Sequence, residues 1–205
     1  MIKESIGALN MDYTLEERCD LIEKSCLESA DKNPITLFIK IANRDFVRIH
    51  GPEHHVLDGA CILTAYKNSG GDINLKEGLD HIEKEGLRMP GGICGYWGFC
   101  GSTSSVGVAL SFIEKTGPLT KDGSWGEHLL YSAEALKRLG ELKGPRCCKR
   151  DAYISIITGV DFINSHFDIK IDKTIPVCGF YMKNEQCLNE QCPFNPKTVR
   201  KDIQY

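Results

Sequence analysis

The sequence lacks the features that would commit it to a membrane, a nucleic acid or a nucleotide. Its longest apolar run, Val-Gly-Val-Ala-Leu-Ser-Phe-Ile from Val106, is far too short to span a bilayer. Residues 1–10 hold no apolar core of signal-peptide length, so a cytoplasmic chain with no membrane association is expected. Basic residues number 25 against 28 acidic ones, a formal net charge of −3, which gives no sequence-wide reason to expect a nucleic-acid partner. No G-x-x-x-x-G-K-[ST], strand-borne G-x-G-x-x-G, H-E-x-x-H or G-x-S-x-G occurs, so nucleotide, zincin and serine-hydrolase readings have no support.

Cysteine is abundant instead, with 10 in 205 residues. In a reducing compartment thiols do not build a disulfide framework, so this number points to metal binding or thiol chemistry. A hydrophobic content of 41% is that of an ordinary globular chain.

Periodicity predicts a mainly α protein, a bundle of about six or seven helices with an irregular cysteine-bearing C-terminal tail. Thr14 and Glu17 form a capping box that opens a helix, with Leu15, Cys19, Ile22 and Cys26 on its apolar stripe. The segment from Asn33 to Gly51 reads as a buried helix or a strand, with the 3.6 period of Leu37, Phe38, Ile41 and Asp45 favouring a second helix, and a third helix is expected from Pro52 to Asn68, stopped by Gly70-Gly71. Asn74 and Glu77 cap a fourth that Gly86 ends, with Leu75, Leu79 and Ile82 on its buried face. Ser102 and Thr103 cap a central apolar helix terminated by Gly117, and Ser124 with Glu127 caps another that ends at Gly140. A further apolar helix follows Arg150, and Phe-Asp-Ile-Lys-Ile-Asp from Phe167 alternates as a strand does. This divides the chain into a helical cysteine-rich domain, 1–172, and a metal-binding tail, 173–205, packed on that same domain.

Several stretches have the composition of a site. His54, Asp58 and Cys61 recur at i, i+4, i+7, which places imidazole, carboxylate and thiol on one helix face, while His55 points about 100° away. Met-Pro-Gly-Gly-Ile-Cys-Gly-Tyr-Trp-Gly-Phe-Cys-Gly-Ser, residues 89–102, sets Cys94 and Cys100 among five glycines just ahead of a helix. Bare backbone at Gly92, Gly95 and Gly101, together with Ser102, lets amides converge on a sulfur-ligated anionic cofactor or on an anionic substrate, and Tyr96, Trp97 and Phe99 are expected to keep water out. Cys147 and Cys148 lie between Lys143, Arg146, Lys149 and Arg150 at another helix start. Cations and helix termini favour thiolates, so Cys100, Cys147 and Cys148 are expected to ionise near neutral pH. In the tail, Cys178, Cys187 and Cys192 crowd 15 irregular residues, and Pro193 follows. A segment with so little apolar core needs something to bind it together, and a metal does so. The spacing matches neither a zinc ribbon nor a ferredoxin, and the fourth ligand is expected from Cys147 or Cys148.

The combination His50-Gly-Pro-Glu-His-His, Pro90-Gly-Gly-Ile-Cys-Gly-Tyr-Trp-Gly-Phe-Cys-Gly, Arg146-Cys-Cys and Cys187-x4-Cys192-Pro resembles a prokaryotic cysteine-rich family catalogued as a domain of unknown function, over about residues 45 to 196. That resemblance implies an anaerobe's protein working beside a methyltransferase or radical enzyme. The order Gly91-Gly92, Cys100-Gly101, Gly107 and later cysteines is also loosely similar to helical, redox-active proteins with a C-GCAxxG-C-C pattern, with Ser102 and Thr103 replacing their small apolar residue and its neighbour.

Together these readings lead to an iron-sulfur or other thiolate-ligated metal protein in redox or sulfur-transfer chemistry. Cys94, Cys100, Cys147 and Cys148 near His54 and His55 would be its reactive site, and Cys178, Cys187, Cys192 and Cys61 further ligands. The alternative is a non-catalytic, zinc-stabilised module that docks on a partner enzyme.

Overall fold

A computed structural model describes residues 13–202, so the reading of residues 1–10 lies outside them. Seven long helices carry the fold: α1 (Leu15–Leu27), α2 (Pro34–Ala42), α3 (His54–Asn68), α4 (Leu75–Leu87), α6 (Gly101–Glu114), α7 (Ser124–Glu141) and α8 (Cys148–His166). Two short ones, α5 (Ile93–Tyr96) and α9 (Pro196–Asp202), and two 3-10 turns complete it, and the described residues contain no strand. No helix among them is long and apolar enough to cross a membrane.

Local chemistry explains the helix starts. Thr14 Oγ1 accepts from Glu17 N at 3.1 Å while Glu17 Oε2 accepts from Thr14 N at 2.7 Å, so the expected capping box forms. Asn33 Oδ1 accepts from Ile35 N and Thr36 N ahead of Pro34, which fixes α2 as a helix. Asn74 caps α4 through Glu77 N at 3.4 Å. The box expected at Ser124 does not form, because Ser124 is already inside α7 and Asp122 Oδ1 accepts from its amide at 3.0 Å. Likewise α6 begins at Gly101, with Cys100 rather than a hydroxyl residue as its cap, and α3 begins two residues after Pro52. Helix ends also differ from expectation: α4 and α7 each run one residue past the predicted glycine, and α6 stops at a left-handed Lys115 (φ 54°) instead of at Gly117. Residues 167–172 form no strand, since Asn164 takes both the N–H (2.8 Å) and the C=O (3.0 Å) of Ile171 that a ladder would need.

α3 occupies the centre, packed against α1, α2, α4, α6 and α8, and is buried from His54 to Tyr66. Its crossing with α6 depends on Gly59, where a Cβ would lie 2.2 Å from the Ser105 carbonyl oxygen. Cys19, Ile22 and Cys26 of α1 are wholly buried against this centre, as their spacing requires. The tail lies on the start of α8: the Phe194 ring meets Tyr153 edge-on at 5.2 Å, and Cys178 N donates to Phe194 O at 2.8 Å.

Candidate functional site

The chain brings the starts of α3, α6 and α8 together, and the cysteines cluster there in two cavities. Cys147, the N-cap of α8, and Cys148, its first helical residue, face different ones. Cys147 joins Cys178, Cys187 and Cys192 around a cavity of about 20 Å³. Cys148 joins Cys94 and Cys100 around another of about 50 Å³, walled by His54, His55 and Arg146. The expected grouping of Cys94, Cys100, Cys147 and Cys148 is therefore corrected. Successive residues at a helix start point in different directions, so neighbours in sequence need not share a ligand.

In the first cavity, amides are directed at every sulfur. Cys147 Sγ accepts from Arg150 N at 3.5 Å and from Asn184 Nδ2 at 3.3 Å. Cys187 Sγ accepts from Asn189 N at 3.3 Å, and the amides of Phe180 and of Phe194 and Asn195 serve Cys178 and Cys192. Asn184 is itself held by His50, whose Nε2 lies 3.0 Å from Asn184 Oδ1. The Tyr153 hydroxyl is buried with no hydrogen-bond partner among the described residues, within electrostatic reach of Cys178, Cys147 and Cys192. Lys149 and Arg150 supply positive charge to the wall.

Lys149 is the least expected of these. Its ammonium is fully buried, 4.9 Å from the centre of the Phe180 ring and 3.1 Å from His54 Nε2, while Asp58 Oδ1 lies 3.3 Å from His54 Nδ1. Burial pulls the lysine down to about 8, against the opposing pull of Asp58 and Glu53. Both ring nitrogens of His54 are thus occupied, and the Asp58–His54–Lys149 chain touches both thiol cavities, with Lys149 on the wall of the first and His54 on that of the second. The pairing of His54 with Asp58 agrees with the helical spacing. Cys61 does not join them: it is wholly buried beside Cys26 and lines neither thiol cavity.

Around the second cavity, α3 starts on a charged anchor. Glu53, itself buried, accepts from Arg48 N at 2.8 Å and Arg48 Nη2 at 2.6 Å. Burial opposes its ionisation, yet these bonds hold its carboxyl down at about 2. A Cβ at Gly51 would collide with that carboxylate at 2.1 Å. His55 Nδ1 lies 3.2 Å from Met89 O, and its ring edge lies over Gly101, where a Cβ would sit 2.1 Å from Cδ2. Gly92 caps α5 with φ 84°, a conformation that favours glycine, and the Ser102 amide points at Cys100. Gly95 lies outside this cavity, on an adjoining groove with Gly98 and Phe99. Tyr96 and Trp97 do not shield the thiols, for they are 88% and 61% exposed.

The expected thiolates are also corrected. Burial pushes Cys100 and Cys148 up to about 12 and raises Cys147 as well, outweighing the amides of Ser102 and Thr103 on Cys100 and that of Gly51 on Cys148. Without a metal these groups are neutral thiols. Among the described residues no three His, Cys, Asp or Glu side chains already stand close enough to hold an ion, so a metal would have to draw them in.

Sequence reasoning missed His50, Tyr153 and Asn184 as parts of the site, and it placed Lys149 beside Cys147 and Cys148 without its contact with His54. His50 stands at the head of a conspicuous motif, but nothing around Asn184 or Tyr153 distinguishes them before folding.

Fold and site thus define a helical protein with two thiol-lined cavities meeting at the start of one helix. The chain belongs to the DUF5714 family, a family of unknown function, which matches residues 22–195. Neither a curated protein nor a solved structure matches it.

Proposed function

We propose that this chain is a thiolate-ligated metal protein that acts in redox or sulfur-transfer chemistry, with Cys147, Cys178, Cys187 and Cys192 as the ligands of one centre. The observation that carries this reading is the convergence of four thiols, each aimed at by an amide, on one small cavity. Amide-to-sulfur hydrogen bonds favour the thiolate and orient it, as outer-shell partners do in metal sites. Four sulfurs select zinc or iron. Four thiolates around a divalent ion carry a formal charge of about −2, which Lys149 and Arg150 on the wall offset. The orphaned Tyr153 hydroxyl gains an acceptor once a thiolate stands beside it.

A cavity of about 20 Å³ admits a single ion once the thiols close on it. Bound iron in such a tetrathiolate passes single electrons, and an iron-sulfur unit uses the same four sulfurs. The same volume fits zinc, whose closed tetrathiolate sites are structural, and so supports a docking module as the second reading.

Anaerobic purification with measurement of iron, zinc and acid-labile sulfide separates these readings. Stoichiometric iron with visible colour supports redox chemistry, and colourless protein with zinc supports the module. Cys178→Ser and Cys187→Ser should each lose that metal. Unchanged metal in both variants removes the tail centre.

A further inference from the structure

Four side chains of the second cavity have no part in the tail centre. Cys94 comes from α5, Cys100 is the N-cap of α6, Cys148 opens α8, and His55 lies in the first turn of α3. All four line the same cavity of about 50 Å³. Cys94 is half-buried at its rim, while Cys100 and His55 are buried.

We propose that Cys94, Cys100, Cys148 and His55 form a second metal centre, for a divalent transition ion that takes sulfur and nitrogen ligands. The histidine is prepared for this. Its Nδ1 is engaged by the Met89 carbonyl at 3.2 Å, which leaves Nε2 with no hydrogen bond among the described residues. Metal-binding imidazoles are oriented in this way, one nitrogen held by a carbonyl and the other presented to the ion. His54, one residue earlier, has both nitrogens occupied by Asp58 and Lys149 and is a positioning residue.

The glycines fit the same purpose. Gly101 is required because the His55 ring lies against its α-carbon. Gly91 has no such constraint: it lines the cavity, has no positive φ, and a Cβ there would meet nothing within 4 Å. α5 is only four residues long and lies between Gly92 and Gly98, both at positive φ, so Cys94 is carried on a short turn between two glycines.

Charge and proton balance also work. Amides of Ser102, Thr103 and Gly51 already point at Cys100 and Cys148. Each thiol releases its proton to solvent as it ligates. Three thiolates and a neutral imidazole around a divalent ion carry a formal charge of about −1; Asp151 also lines the wall but is paired with Arg150 at 3.3 Å, which leaves Arg146 to offset the centre. Three sulfurs with one nitrogen is a set that zinc accepts in closed sites, and iron accepts the same donors.

The test uses the full-length, metal-free protein titrated with cobalt(II) and then zinc(II), because cobalt colour distinguishes four sulfurs from three sulfurs and one nitrogen. The unmodified chain should take up about two ions. Cys187→Ser/Cys192→Ser should keep about one, with the spectrum of three sulfurs and a nitrogen, and Cys94→Ser/Cys148→Ser should keep about one with that of four sulfurs. In the first double variant, adding His55→Cys should shift the remaining band to the four-sulfur position, a change that a merely structural histidine would not cause. The proposal is overturned if Cys94→Ser/Cys148→Ser binds as many ions as the unmodified chain, or if the band is indifferent to His55→Cys while helical circular dichroism is unchanged. Full binding by Cys187→Ser/Cys192→Ser would instead sink the tail centre and leave this one standing.

Discussion

The ten cysteines fall into two populations, and the contrast between them separates packing from chemistry. Cys19, Cys26 and Cys61 sit in the helical core with no exposure. Burial pushes Cys19 up to about 12, with the carboxylates of Glu83 and Glu53 adding to it, and Cys61 has Cys26 as its neighbour. The cysteines at the helix starts and in the tail are buried or half-buried, and Cys100 and Cys148 reach about the same value of 12. The two populations differ in what is aimed at the sulfur. Carboxylates or thiols act on both, Asp151 on Cys100, Cys147 and Cys148 included, but amides are also directed at Cys100, Cys147, Cys148, Cys178, Cys187 and Cys192. A raised pKa therefore does not identify a spectator thiol. Hydrogen-bond donors are the better guide, because they are placed for an anion that metal binding creates.

The largest test of this comparison is removal of metal. If the tail is fastened by its centre, a strong chelator should make residues 175–195 cleavable by protease while the bundle of α1 to α4 keeps its helicity. Binding energies of about 10 kcal/mol are at stake in structural zinc sites, so the change in cleavage should be large. Equal resistance before and after chelation would put the tail cysteines in the same packing class as Cys19.

A smaller effect is expected at Glu53, where the core helix meets the site. Its carboxyl is held at about 2 against 4.5 in an unstructured chain. The folded value is depressed, so the contribution is present above about pH 4.5 and is lost as pH falls toward about 2. Glu53→Gln should cost of order 2 kcal/mol at neutral pH and flatten that acid limb of the stability curve. Denaturant melts at several pH values give the answer, and an unchanged acid limb would show that the Arg48 anchor does not secure α3.

The smallest effect should come from Cys61→Ala. Truncating a buried thiol in α3 should cost about 1 kcal/mol through the small void it leaves, with bound metal unchanged. Loss of an ion in this variant would break the division between the two populations and return Cys61 to the ligands.

Much of the bundle was legible because helix starts and buried stripes are local. Thr14 with Glu17 and Asn74 with Glu77 each act within a turn or so, and the spacing of Cys19, Ile22 and Cys26 states which face is buried. Reading was less successful where a competitor stood nearby: Asp122 displaced the Ser124 cap, and Asn164 took the backbone groups of Ile171. At the site, the residues were legible and their partition was not. The cysteines, His54 and His55 could be named from composition, but the assignment of Cys147 to one cavity and Cys148 to the other depends on how α8 sits against α3 and the tail.

A helical chain rich in thiols follows from the order of residues alone, since periodicity, caps and cysteine number depend only on neighbours along the chain. Tertiary structure alone decided which thiols meet, which histidine keeps a free nitrogen, and whether burial or amides set a thiol's charge. Those outcomes depend on desolvation and on contacts between residues as far apart as His50 and Asn184. No spacing in the chain encodes them, because they exist only once the starts of α3, α6 and α8 have been packed together.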